Sequence, residues 1–91
     1  MIEITAIRLE GGSGHQHITA TLWRCATTSS GVATRQAIVD WLEQSNANRA
    51  VVVDGSAVIE VAIQRHPHLP PCPRTRVDRR WTDHLLSLPR C

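Results

Sequence analysis

Two histidines at i and i+2, His15-Gln16-His17, are the first residues of this chain whose type and spacing point to chemistry. On a strand, alternate side chains leave one face, so the pair could chelate one metal ion, with His66, His68, Cys72 and His84 as further donors. The spacing matches no zinc pattern, and Gln16 stands where a base would help and cannot act as one. In the plainer role, His15 and His17 hydrogen-bond the loop before them, and neither a metal nor a cofactor is assigned. That loop, Gly11-Gly12-Ser13-Gly14, has the composition of an anion nest made of successive N–H groups. A phosphate loop leads into a helix N-terminus, and its Walker form carries a Lys. This loop leads toward a strand and the chain has no Lys, so Gly12 and Gly14 are read as a hairpin turn held by His15 and His17. Glu10, Ser13 and His15 are residue types of a hydrolytic triad, but triads converge from distant segments and these three lie within six residues. No catalytic residue is assigned, and the chain is not read as an enzyme.

Arg74, Arg76, Arg79 and Arg80 form the second group, with Trp81 and His84 beside them. Residues 1–64 carry net charge −2 and residues 65–91 carry +4. A strand would put Arg74 and Arg76 on one face, where they could meet phosphates. Single-strand binders, however, stack bases on exposed aromatics, and the three Trp of this chain are needed for its core. A helix carrying Arg35 against Asp40 and Glu43 is too weakly basic to read a major groove. The six residues Arg74, Arg76, Arg79, Arg80, Trp81 and His84 are therefore read as a protein-binding surface, with nucleic acid as the alternative partner.

The elements that must position these residues come from the rest of the chain. Ninety-one residues, 42% hydrophobic and 20% charged, make one globular domain. The longest apolar run is Ala50 to Val53, far short of the about 20 residues a spanning helix needs, so no membrane partner is expected. The start of the sequence has no basic and apolar leader pattern, and Cys25, Cys72 and Cys91 form no C-x-x-C; free thiols in a reducing cytoplasm are expected. All ten basic residues are Arg, and Phe and Tyr are absent. That codon bias fits a high-GC genome, such as an actinobacterium or one of its phages.

Residues 2–10 and 17–25 alternate as two strands of an antiparallel hairpin, with a change of phase inside the first that fits a bulge or a strand covered on both faces. Thr27 to Gly31 is read as a loop. Thr34 caps a helix from about Arg35 to Ser45, with Ile38, Trp41 and Leu42 as its apolar stripe and Asn46 or Asn48 as a left-handed stop. Residues 49–53 and 57–63 pair around a type I′ turn at Asp54-Gly55. Four prolines among residues 67–73 force extended backbone, and the P-x-x-P of Pro67-His68-Leu69-Pro70 is read as a stiff brace. A small hairpin around Asp78-Arg79 and one helical turn near Leu85 follow. The expected fold is α+β: a small antiparallel ββαββ sheet over residues 1–64 with one helix on it. Residues 65–91 form an extended Pro/Arg-rich arm that packs back through Leu69, Trp81, Leu85, Leu86 and Leu88, or onto a second subunit.

Three blocks of this sequence resemble a family of short bacterial and phage proteins classed as domain of unknown function 3892. They are Ile4-Thr5-Ala6-Ile7-Arg8-Leu9 with Gly11-Gly12-Ser13-Gly14-His15-Gln16-His17-Ile18-Thr19, Val39-Asp40-Trp41-Leu42, and Arg74-Thr75 with Trp81-Thr82-Asp83-His84-Leu85-Leu86-Ser87-Leu88-Pro89. Where the family pattern has an Asp-Gly turn before the Trp, this chain has Asp78-Arg79, so a longer or differently shaped turn is expected there. The resemblance implies a shared small domain and no activity. The resulting expectation is a non-enzymatic accessory module that docks onto a host or cognate protein through residues 66–91 and the neighbouring sheet edge. A nucleic-acid binder and a metal-binding His15/His17 loop are the alternatives, and a homo-oligomer is compatible with all three.

Overall fold

The computed structural model describes residues 1–25 and 29–91. β1 (Ile2–Leu9) and β2 (Ile18–Cys25) pair antiparallel, as their alternation predicts. The phase change in β1 is a bulge: the register slips between Ile4 and Ala6 and again between Arg8 and Leu9. β3 (Ser29–Thr34) continues the meander beside β2. The expected loop is thus corrected from Ser29 onward, while its Thr27 and Thr28 lie outside the described residues. α1 (Arg35–Gln44) follows at once, and Thr34 Oγ1 accepts from Ala37 N at 3.1 Å as its cap. Its end differs from expectation: neither Asn46 nor Asn48 is left-handed. Asn48 Nδ2 instead donates to the Trp41 carbonyl at 2.7 Å, satisfying one of the last-turn acceptors.

β4 (Ala50–Asp54) returns alongside β1 and parallel to it, joined through Ile2–Ala50 and Glu3–Val51. β5 (Ala57–Gln64) pairs antiparallel with β4. The turn between them lies one residue later than expected, over Gly55-Ser56. Only Gly55 has positive φ (61°), which is the type II′ pattern rather than type I′. β6 (Cys72–Val77) pairs with β5, and β7 (Arg80–Thr82) pairs with β6. The strand order is β3-β2-β1-β4-β5-β6-β7, a seven-stranded mixed sheet. This overturns the small antiparallel ββαββ sheet with an arm. The parallel β1–β4 join makes the sheet mixed, and the segment read as an arm supplies two of its strands. Pro73 is tolerated in β6 because β7 pairs only with Thr75 to Val77, leaving β6 outermost at Pro73.

The core gathers Ile4, Ile7, Ile18, Val52, Ile59 and Val61 of the sheet with Ile38 of α1 and Leu85. Leu85 belongs to a single 3-10 turn, Leu85–Ser87, and is fully buried. The chain then runs beside the second half of β1. Ile7 N donates to the Pro89 carbonyl at 3.0 Å, and Cys91 N donates to the Ile7 carbonyl at 2.9 Å. Leu86 and Leu88 pack on the core as expected, but Leu69 and Trp81 remain exposed. The assignment of all three Trp to the core is likewise corrected: Trp23 and Trp41 are half-buried at its margin.

The β6–β7 turn is not longer or reshaped as expected: it keeps two residues, and Asp78-Arg79 bears the strain instead. Asp78 (φ 50°) and Arg79 (φ 67°) are both left-handed, the type I′ pattern whose second position favours Gly. A side chain at Arg79 opposes that conformation by about 1 kcal/mol. Arg79→Gly is expected to stabilise the fold by about that amount, raising Tm by about 4–8 °C. Thermal unfolding followed by circular dichroism checks it, and an unchanged or lower Tm contradicts it.

Candidate interaction surfaces

The three elements that carry the sequence-identified residues place them in different surroundings. His15 and His17 lie in a one-turn 3-10 helix, His15–His17, not on a strand. Residues two apart in such a turn diverge, so the expected common face is not formed. The His17 ring lies over Gly12, where an added Cβ would come within 2.5 Å of it, and His17 Nδ1 accepts from Gly14 N at 3.1 Å. This pair of contacts holds the Gly-rich loop in the way expected of the plainer role. His15 points elsewhere and is buried. Among the described residues, no three His, Cys, Asp or Glu side chains come together as metal ligands.

His15 Nε2 is buried and has no hydrogen-bond partner; the Asp83 carboxylate stands 3.9 Å away. Burial, reinforced by the Arg74 guanidinium and opposed by Asp83, holds the imidazole below its ordinary 6.5. The folded state therefore takes up this proton only at lower pH than the unfolded chain does. The resulting stability is complete above pH 6.5 and is lost as pH falls from 6.5 to the lower folded value. Replacing His15 by Leu is expected to flatten that slope in urea titrations. Equal slopes for both proteins would show that His15 is not its source.

β6 and β7 hold the arginine group. Arg74 donates to the Thr82 carbonyl at 3.1 Å through Nε, to Gln64 Oε1 at 3.2 Å, and to Asp83 Oδ1 at 2.9 Å. Burial raises the pKa of the neighbouring Cys72 thiol, against the pull of Arg35 and Arg74. Arg76 pairs with Glu60 at 3.0 Å and lies over the Trp81 ring, 5.5 Å from its centroid. Arg79 is in the exposed turn and Arg80 is exposed beside it on β7. His84 Nδ1 meets Thr82 Oγ1 at 2.8 Å, inside a small network centred on Thr75. Arg74 and Arg76 share a strand, as expected, but both guanidiniums are engaged by acceptors of the same chain.

Arg76 also belongs to a wider pattern. Following the register across the sheet, Arg24, Glu3, Val51, Glu60, Arg76 and Trp81 fall in one cross-strand row. Arg24 and Glu3 pair at 2.9 Å, as Glu60 and Arg76 do at 3.0 Å. The two ion pairs flank an aliphatic centre in which Val53 and Val58 are exposed. The charges of this row therefore balance within the chain instead of forming a positive stripe.

The other end of the sheet carries a groove of about 490 Å³ between α1 and strands β2 and β3. Ile2, Trp23, Cys25, Ser29, Ala33, Ala37, Ile38 and Trp41 line it, and none of these is charged. Trp23 lies against the backbone of β3: a Cβ at Gly31 would be 3.0 Å from its Cζ2. The groove thus reaches the outermost strand of the sheet. Sequence reasoning missed this site because it placed both Trp in the core. The usable signal was the uncharged stretch Ser29-Ser30-Gly31-Val32-Ala33-Thr34 between a Trp-bearing strand and a Trp-bearing helix.

Among the described residues, no helix is long and apolar enough to cross a membrane. Searches of the curated proteins and of the solved structures find no match to this sequence. The family described as "Protein of unknown function (DUF3892)" matches over residues 3–89, nearly the whole chain, and the protein belongs to that family.

Proposed function

We propose that the protein is a non-enzymatic binding module that docks another protein, with the groove between α1 and β3 as its docking surface. The observation that supports this most is the groove itself: an open, uncharged cleft of about 490 Å³ with two half-buried Trp in its wall. Rings of this kind are the usual anchors of protein interfaces. The alternative, nucleic-acid binding through the arginines of residues 65–91, has less support because Arg74 and Arg76 already have partners in the chain, leaving Arg79 and Arg80 as an exposed pair. A high-GC bacterial or phage source, a host or cognate protein as partner, and a reducing cytoplasmic setting for the free Cys25, Cys72 and Cys91 complete the reading.

Ala37 is exposed and lines the groove, so Ala37→Glu places a charge there at small cost to the fold. Selection of a displayed random-polypeptide library on the immobilised chain is the test. Enriched sequences are expected to bind wild type and to lose about tenfold or more against Ala37→Glu, a difference of about 1.4 kcal/mol. Absence of enrichment, or equal binding to both proteins, contradicts the proposed surface. A salt-steep DNA or RNA mobility shift at about 50 mM salt that Arg74→Ala with Arg76→Ala abolishes would favour the nucleic-acid alternative.

A further inference from the structure

Two features that arise independently meet at the same place. The first is a sheet edge. β3 is the terminal strand, and among the described residues no strand pairs with its outer side. Alternate backbone N–H and C=O groups along that side therefore lack ladder partners. Natural edges are usually blunted by charge, Pro or a bulge. Ser29 to Thr34 contains no charge and no Pro, and its register with β2 is unbroken over all six residues. The exposed Val32, at 63%, adds apolar surface on the far face.

The second feature is the groove, whose walls include Ser29 and Ala33 of that same strand. Residues two apart on a strand share a face, so a strand added beside β3 would present every second side chain to the groove. We infer that the occupant is an extended, uncharged peptide segment with apolar residues at alternate positions, which adds to the sheet as an eighth strand on β3 and drops those side chains between Trp23 and Trp41. Backbone hydrogen bonds supply one part of such binding and side-chain pockets the other. This inference rests on the groove being a docking surface.

The electrostatics fix the charge of the segment. Neither the groove wall nor β3 offers a counter-ion. The nearest charged side chains of α1 are already held, Arg35 by the Gln16 carbonyl and Asp40 by Gln36. A charged side chain brought into the groove would be desolvated without compensation. A second copy of this chain fits less well. Antiparallel pairing of β3 with itself about a two-fold axis keeps its faces aligned, so only Ser29, Gly31 and Ala33 of the copy would meet the groove side. Those side chains are too small to fill about 490 Å³.

The test uses the full chain, labelled with 15N, and a short end-blocked peptide of alternating Thr and Val as probe. Amide exchange is followed with the probe raised to millimolar concentration. Every second amide of residues 29–34 is expected to slow by about tenfold or more, and the effect is expected to disappear in Ala37→Glu. Shifts confined to α1 and the Trp side chains, with no new protection in β3, would mean a groove occupied without strand addition; that overturns this inference and leaves the docking surface standing. Shifts centred on Val53 and Val58 would overturn both. A doubled mass by light scattering without probe, with the same β3 amides already protected, would assign the edge to a second copy and overturn the peptide. No spectral change at all overturns the inference, while the library selection decides the docking surface separately.

Discussion

Leu85→Ala is expected to cost about 3 kcal/mol, within the range for truncating a fully buried Leu. The side chain has no exposed surface and packs with Ile4, Ile7, Ile18 and Val61 in the main cluster. It is also the one fully buried large side chain supplied by the segment after the last strand. Its neighbours are β-branched residues fixed on strands, which relax little into a cavity, so the cost stays well above the transfer value alone. For a domain with total stability of about 5–15 kcal/mol this is a large fraction. Urea unfolding measures it. A loss below about 1 kcal/mol would mean that the chain beyond β7 is detached from the core, and the fold described here would need revision.

Thr75→Val is expected to cost about 2 kcal/mol although it changes neither volume nor shape. Thr75 is fully buried in β6. Its hydroxyl donates to the Thr82 carbonyl at 3.1 Å and accepts from His84 N at 3.1 Å and from Thr82 Oγ1 at 2.7 Å. His84 Nδ1 stands 2.8 Å from Thr82 Oγ1 and joins the same network. Valine leaves the His84 N–H and the Thr82 hydroxyl of these two half-buried residues without this partner, and the penalty of the lost bonds dominates the small hydrophobic gain. Thr75→Ser keeps the hydroxyl and loses one methyl, so it is expected to cost less than Thr75→Val. If the Ser variant proves the weaker of the two, packing rather than hydrogen bonding governs this position.

The network around Thr75 also bears on what could be read from sequence. Arg74-Thr75 and Trp81 to Pro89 were recognisable as family blocks, but nothing in their types says that they brace one another. The local signals were reliable where one short segment decides the outcome. The β1–β2 hairpin, the Thr34 cap and the β4–β5 pair with Gly55 in its turn are of this kind. β3 was missed because Ser29 to Thr34 is an edge solvated on its open side, and small polar residues do not produce apolar alternation. The β6–β7 hairpin around Asp78-Arg79 was legible, but the start of β6 and its pairing with β5 were hidden by Pro73, which sits where the strand is locally outermost. The parallel join of β1 to β4 has no local signature, since the two lie more than 40 residues apart. Of the candidate site, Ile38 and Trp41 were legible as part of a helix stripe, while Ala37 was not; that the sheet stops short of covering them depends on where β3 ends the order.

Ile7 is bonded to Pro89 and Cys91, so the second half of β1 gains its last partners from the final residues of this sequence. Such distant pairing slows the search for the native state, because a long loop must close before the contact repays it. A chain emerging from the ribosome in order can pair β1 with β2 early, but the bonds of Ile7 to Pro89 and Cys91 wait for more than 60 further residues. During that interval the second half of β1 offers a free edge to any neighbouring nascent chain, a hazard of misassembly that lasts until residues 89–91 close on Ile7.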